Sequence, residues 1–369
     1  MMAKQAADSA HVRRPLFPNV TVILGDPHLP DKTKIEHRFG ATDFAAIARL
    51  KAALQEHTDY QFTYLDNHAS LLSDLITNPP AFVFNLCDTG YKNEALHELH
   101  LPALLEMLEI PYSGAGPTCL GLCYDKALVR AVASAHGVPV PLETFVGAHT
   151  PVRNAAPVFP ALIKPNCGDG SVGIDRDAVV YSVTEASAYL RRLRVGFPDR
   201  DVLIQEFLSG AEYSIGLIGN PGLGFIELPP LEVDYSELDS PLPRILPYES
   251  KSDPDSPYWT HIKYREARID KHVRQRLIGN SLLLFQRLGC RDYARFDFRA
   301  DATGDIKLLE INPNPAWCWD GKLNLMAGFA GYSYSEFLRL ILAAVQTRVA
   351  ALGLAESMVK SISAVDSTR

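Results

Sequence analysis

ARFDFRADATGDIKLLEINPNP, residues 294–315, consists of two apolar runs interrupted by groups that do not belong in a core. Arg295 and Asp297 interrupt the first run, Glu310 and Asn312 the second. A buried carboxylate must be paired or must bind a cation, because moving a bare charge out of water is prohibitive. In extended chain, residues two apart point to one face, so 295 pairs with 297 and 310 with 312. If the runs are neighbouring strands, Asp297, Glu310 and Asn312 converge as three oxygen donors. Such a set suits Mg²⁺ or Mn²⁺, with positions left for phosphate oxygens and water. The plainer alternative is an Arg295–Asp297 ion pair with Glu310 in solvent. It explains one pair but not four polar groups on otherwise apolar strands.

Upstream, KPNCGDGSVGI (164–174) gathers Gly168, Gly170, Ser171 and Gly173 behind Lys164. Glycines let backbone N–H groups approach an anion closely, and the lysine adds fixed positive charge. The lysine precedes the glycines on a strand, so this is neither GxxxxGK[ST] nor a GxGxxG that opens a helix. An ordinary Gly-rich hairpin has the same composition, and both readings stand at this point. VLIQEFLSGAEYSIGLIG (202–219) leads an apolar strand into Glu206 and Phe207. Main-chain groups and an aromatic there suit an adenine, with Glu212 placed for ribose hydroxyls.

The composition narrows the partners. Among 369 residues, 36 Lys and Arg face 43 Asp and Glu, a net charge of -7 with no long basic run. That argues against a general nucleic-acid binder. The opening MMAKQAADSAHVRRPLFPNV has no apolar core of a secretory leader, and apolar stretches fall short of the ~18 residues of a membrane span. The expectation is a cytoplasmic protein with no membrane partner. The six cysteines, Cys87, Cys119, Cys123, Cys167, Cys290 and Cys318, form no C-x-x-C pair and no zinc spacing. Cys119 and Cys123 lie one helical turn apart, and all six read as small buried hydrophobes in a reducing compartment.

Residues 1–14 and 351–369 are polar and aperiodic, and read as disordered tails. From 15 to 118, apolar strands alternate with helices, the signature of an α/β unit with a parallel sheet covered on both faces. Functional loops of such sheets leave the carboxyl ends of strands, here GDPHLPDK (25–32) and CDTGYKNE (87–94). Residues 119–210 read as a small α+β unit, and 211–350 as a strand-rich unit with a helix near 266–288 and a closing amphipathic helix.

CYDKALVRA, ALIKPNCGDGSVGI, LIQEFLSGAEYSIGLIG, RDYARFDFR and LLEINPNP, in that order, resemble the ATP-grasp superfamily in its D-alanine–D-alanine ligase-like branch. The resemblance spans about residues 18–348. It implies an ATP-grasp fold preceded by the parallel-sheet domain, and an ATP-dependent ligase that uses Mg²⁺ or Mn²⁺. It further implies that Lys126 and Lys164 contact ATP phosphates, under a closing loop of Gly168, Gly170, Ser171 and Gly173. Glu206, Phe207 and Leu208 would line the adenine hinge and Glu212 would hold the ribose. Asp297, Glu310 and Asn312 would carry the metal, Arg295 would steady an acyl phosphate, and Lys251 in YESKS matches a mobile-loop lysine. The substrates implied are small and amino-acid-like, and homodimers are usual in the branch.

The departures concern the acceptor. The ligase that the chain resembles carries a serine at the position of Gly170 and a tyrosine near Ser252. Its small serine-containing acceptor segment is replaced by PNPAWCWDGKLN (313–324). Asn314, Trp317 and Lys322 are the expected acceptor-side residues, with Lys322 or a neighbouring N–H receiving the acceptor's carboxylate; the tryptophans read equally well as core. Three functions are compatible with this pattern: a carboxylate–amine ligase with its own acceptor, a true D-alanine–D-alanine ligase, and a non-catalytic ATP-binding regulator.

Overall fold

The computed structural model describes residues 14–150, 158–168 and 170–366, so the expected tail at 1–14 falls almost wholly outside them. Strands Asn19–Ile23 (β1), Gln61–Leu65 (β2) and Val83–Asn85 (β3) form a parallel sheet in the order β2–β1–β3. Helices Ala41–Gln55 (α1), Leu71–Thr77 (α2) and His100–Met107 (α3) flank it. Alternation divides the strand residues between two cores. Val20 and Val22 pack with Leu50 and Leu54 of α1, while Ile23 packs with Leu71, Leu75 and Leu101.

Pro117–Tyr124 (α4) and Lys126–Ala135 (α5) are separated at Asp125, whose side chain caps α5 by accepting from the Leu128 N–H at 2.9 Å. Next comes an antiparallel sheet of Glu143–Val146 (β4), Ala161–Pro165 (β5), Val179–Val180 (β6) and Val202–Glu206 (β7), in the order β4–β7–β5–β6. Val183–Gly196 (α6) covers it through Ala186, Leu190 and Leu193. Because α6 already covers this sheet, the apolar face of α4 and α5 goes elsewhere. Leu120, Val129 and Ala133 pack with Phe296 and Ile311 of the following unit. The stretch expected as one unit, 119–210, is therefore shared between two cores.

The large sheet contains Glu212–Asn220 (β8), Gly224–Glu227 (β9), Leu231–Asp234 (β10), Lys263–Glu266 (β11), Tyr293–Ala300 (β12) and Ile306–Asn312 (β13). Its order is β11–β10–β8–β12–β13, with β9 paired to β8. Lys271–Arg287 (α7), Lys322–Phe329 (α8) and Tyr334–Asp366 (α9) complete the unit. The structure departs from the sequence reading at α9, which stays helical to Asp366 where a tail was expected from 351. That stretch has no proline and is mostly residues that tolerate or favour helix, so the anchored turns before it propagate. Among the described residues no helix is long and apolar enough to cross a membrane.

A fully buried aspartate ties the units together. Asp292 accepts from Arg348 Nε and Nη2 of α9, both at 2.8 Å, from Asn220 Nδ2 at 3.1 Å, and from the Gly114 N–H at 2.9 Å. Arg348 also donates to the Tyr112 carbonyl at 2.8 Å. Removing one partner of a buried ion pair strands the other charge and costs about 3–5 kcal/mol. Asp292→Ala is expected to lower the stability measured by denaturant unfolding by that order. Combining it with Arg348→Met should cost less than the sum of the two single changes; additive effects in that double-mutant cycle would show the pair to be uncoupled.

Candidate active site

The site begins as a register. On β12, Arg295 pairs with Gly216 of β8 and Asn312 of β13, Asp297 with Ser214 and Glu310, and Arg299 with Glu212. Opposed residues share a face, so these side chains form one polar stripe across three strands. A bulge after Asp297 absorbs Leu309, since the next pair is Phe298 with Leu308. Ala294, Phe296 and Phe298, of the opposite parity, are buried in the apolar core. Helix α8 lies over the stripe closely enough that a Cβ on Gly216 would come within 2.6 Å of Leu323 Cδ1.

Charge on the stripe is densely cross-connected. Ser214 Oγ donates to Asp297 Oδ1 at 2.6 Å, and Arg295 donates to the same carboxylate through Nε at 3.0 Å and Nη2 at 3.0 Å. Lys322 Nζ lies 4.0 Å from Asp297 Oδ2 and 3.8 Å from Glu212 Oε1. Burial works to raise the Asp297 pKa, but Arg295 and Lys322 outweigh it and hold the carboxyl well below the usual range. Glu310 is likewise lowered: burial opposes its charge, and Lys126, with Nζ at 4.0 Å, Lys164 and Arg295 restore it against the repulsion of Asp297. Burial also opposes the Lys322 ammonium, and Asp297 and Glu212 raise it above its ordinary value. Glu212 accepts from Tyr235 Oη at 2.8 Å and Arg299 Nη1 at 3.1 Å. Asp297 and Glu310 thus stand ionised side by side with Asn312, a hard oxygen donor set that fits a small divalent cation.

Two lysines face these acids. Lys126 opens α5 and donates to the Gly168 carbonyl, while Lys164 on β5 is buried. Burial, with added repulsion from Arg130 and Lys126, brings Lys164 down to about 7. In the glycine loop, Gly173 has φ +83°, and a Cβ there would lie 2.8 Å from Pro165 Cγ, so no other residue fits without strain. Ser171 Oγ accepts from Lys251 Nζ at 3.1 Å, and Arg176 Nε donates to Glu249 at 3.0 Å. The Tyr248 N–H donates to the Ile174 carbonyl at 2.8 Å, and Tyr248 Oη to the Lys32 carbonyl at 3.2 Å. The glycine loop, the turn at 248–252 and the first domain are therefore latched together over the lysines.

Several expected residues also carry structural contacts. Glu206 accepts from the Leu142 N–H at 3.1 Å and from Lys307, so its carboxylate braces the hinge. Phe207 donates its N–H to the Pro160 carbonyl at 2.9 Å, and Leu208 is buried. Trp317 is core: its indole donates to the Leu86 carbonyl at 2.7 Å, and its own carbonyl accepts from Tyr334 Oη at 2.9 Å. Trp319 is exposed against the Arg49 guanidinium, 4.1 Å from the ring centre. Asn314 accepts from the Ala115 N–H at 2.9 Å and donates to Glu98 at 3.5 Å, beside a cavity lined by Lys126, Glu310 and Asn312. Lys322, expected on the acceptor side, sits beside Glu212 and Asp297, the acids expected to serve nucleotide and metal. Ser214 and Arg299 were missed, although they share the strand parity of Glu212 and Asp297.

The family described as "D-ala D-ala ligase C-terminus" matches residues 149–343. A D-alanine–D-alanine ligase of Xanthobacter autotrophicus is 30% identical over 294 residues, 78% of this chain and 88% of the relative. An uncharacterised protein of Sinorhizobium fredii, y4sG, is 30% identical over 272 residues, 73% of this chain and 76% of its own length. Among solved structures, the D-alanine–D-alanine ligase of Bacillus anthracis complexed with ATP aligns with a TM-score of 0.64 at 19% identity, covering 90% of this chain and 98% of its own.

The Lys164 environment yields a signed pH dependence. An ammonium lowered to about 7 is mostly neutral one unit above that value, and a bound polyphosphate favours its charged form. Nucleotide binding there should take up close to one proton, and affinity should fall by up to about tenfold per pH unit as pH rises. Calorimetric titration with ADP in buffers of different ionisation enthalpy measures the uptake. Lys164→Met should abolish it, and equal uptake in that variant would assign the proton elsewhere.

Proposed function

The chain belongs to the D-alanine–D-alanine ligase family of ADP-forming ATP-grasp ligases, and from that premise we propose that it couples an amino-acid-like acid to an amine other than D-alanine. The observation that carries the ligase reading is the stripe of Arg295, Asp297, Glu310 and Asn312 facing Lys126 and Lys164. A carboxylate is a poor electrophile, so the γ-phosphoryl of ATP is first transferred to it; the amine then attacks the acyl phosphate and phosphate leaves. This transfer asks mainly for positioning and charge neutralisation. Lys126 and Lys164 hold the phosphates, and Arg295 faces the oxygens that gain charge as the amine adds. Asp297, Glu310 and Asn312 would hold Mg²⁺, which supplies further neutralisation of the phosphate charge. Ser171, latched to Lys251, closes the glycine loop and keeps water from the acyl phosphate. Lys322, between Glu212 and Asp297, is assigned to the nucleotide side.

The proposal of a distinct acceptor rests on side chains that are missing. Gly170 offers none, and Ser252 turns its hydroxyl back to the Tyr248 carbonyl at 3.0 Å. The serine and tyrosine that the ligase presents to its substrates thus have no counterpart at these two positions. The second reading, a true D-alanine–D-alanine ligase, is favoured by the 30% identity to the Xanthobacter autotrophicus enzyme. Phosphate release with ATP and a panel of amino acids and dipeptide-forming pairs separates the two. D-Alanine alone is expected to react with kcat/KM lower by about 10–200-fold than the best pair. D-Alanine as the best substrate would refute the acceptor proposal, and no release with any pair would refute the ligase reading.

Two substitutions test the roles. Glu310→Gln should abolish turnover with little change in melting temperature, and full activity would remove Glu310 from the metal set. Lys322→Ala should raise the KM for ATP more than that of the acceptor, and the reverse split would return Lys322 to the acceptor side.

A further inference from the structure

Two thiols one helical turn apart meet a third that is distant in sequence, beside the site. Cys119 and Cys123 lie one turn apart on α4, and both face the large sheet. The third, Cys290, is set by the end of α7: Gly289 adopts φ +73°, and the Cys290 N–H returns to the Phe285 carbonyl at 2.9 Å, the left-handed stop that ends many helices. This turn aims Cys290 at α4. Cys119 Sγ lies 3.7 Å from Cys290 Sγ and 4.0 Å from Cys123 Sγ, and all three sulfurs fall within 4.8 Å of one another.

We propose that Cys119, Cys123 and Cys290 form a binding site for a thiophilic cation, of the copper(I) or zinc(II) class. The centre of a triangle of side about 4 Å lies about 2.3 Å from each corner, which is the length of a zinc–thiolate bond. Thiolate sulfur selects soft and borderline metals over Mg²⁺, so this site and the oxygen set on the stripe do not compete for one ion. All three cysteines are buried, but Cys123 lines the cavity shared with Lys126 and Glu310, which gives an ion a route in. On binding, each thiol releases its proton to solvent as its sulfur–metal bond forms, and nothing is oxidised or reduced. The bound ion would pin α4, and through it Lys126 at the start of α5, to the turn that leads into β12.

The test uses the full chain, reduced and stripped of metal, titrated with Zn²⁺ and, without oxygen, with Cu⁺ against a competing chelator. One equivalent should bind, the melting temperature should rise, and the ion that displaces more chelator identifies the preferred class. Cys119→Ser, Cys123→Ser and Cys290→Ser should each weaken binding by at least about a hundredfold, the upper end of what a ligand's supporting partners cost. Cys167→Ser, outside the cluster, should leave it unchanged. Should a serine variant fail to fold, alkylation of the unaltered protein decides: the bound ion should protect these three of the six cysteines, counted by mass spectrometry. Binding of neither ion above background, unchanged affinity in the triple serine variant, or protection of other cysteines would each overturn the proposal.

Discussion

Asp297 and Glu310 are directly opposed on adjacent strands, and the rest of the site answers that placement. Like charges in this position repel, and burial adds a desolvation cost to each. The fold offsets both with cations brought from different elements: Arg295 on the same strand, Lys126 at the head of α5, Lys164 on β5 and Lys322 at the head of α8. None of these cations can be moved without exposing the acid pair, which ties the relative positions of both sheets and two helices to one electrostatic requirement. The same arrangement leaves Lys126 and Lys164 facing the acids.

The latch over these lysines is built from weaker parts. Lys251 with Ser171 and Arg176 with Glu249 are exposed or half-exposed contacts, worth little individually in water. Asp292, by contrast, is fully buried, and with the partly buried Arg348 it bridges the first domain to the closing helix. The molecule therefore pairs a firm buried joint with a closure whose contacts can be released, as the proposed lid requires.

Much of this was legible in the sequence because it depends on local periodicity. Strand parity alone placed Arg295 and Asp297 on one face, and Glu310 and Asn312 on another, and the register joined the two. The parallel sheet, the glycine turn and the lysine before it follow from similarly short-range patterns. What escaped depends on where a chain goes after an irregular segment. Trp317 follows two prolines, and nothing nearby reveals that its indole meets the Leu86 carbonyl. The direction of the Lys322 side chain follows from how α8 lies on β8, which Gly216 permits and no local pattern states. Cys290 joins Cys119 only through the turn at Gly289 and the packing of α4 on the large sheet.

The halves proposed for nucleotide and for acceptor are held by different physics. Phosphate recognition is a matter of charge at fixed positions, and removing one of the cations leaves the buried acid pair short of compensation. The acceptor segment after β13 is held by shape, through the buried Trp317 indole and the bonds of Asn314 to Ala115 and Glu98. Trp319 and Asp320, just beyond those anchors, are exposed and lie outside that constraint. Substitutions there leave the charge balance beneath undisturbed. That asymmetry would let a chain keep the charged groups proposed for ATP while the segment proposed for the acceptor diverges.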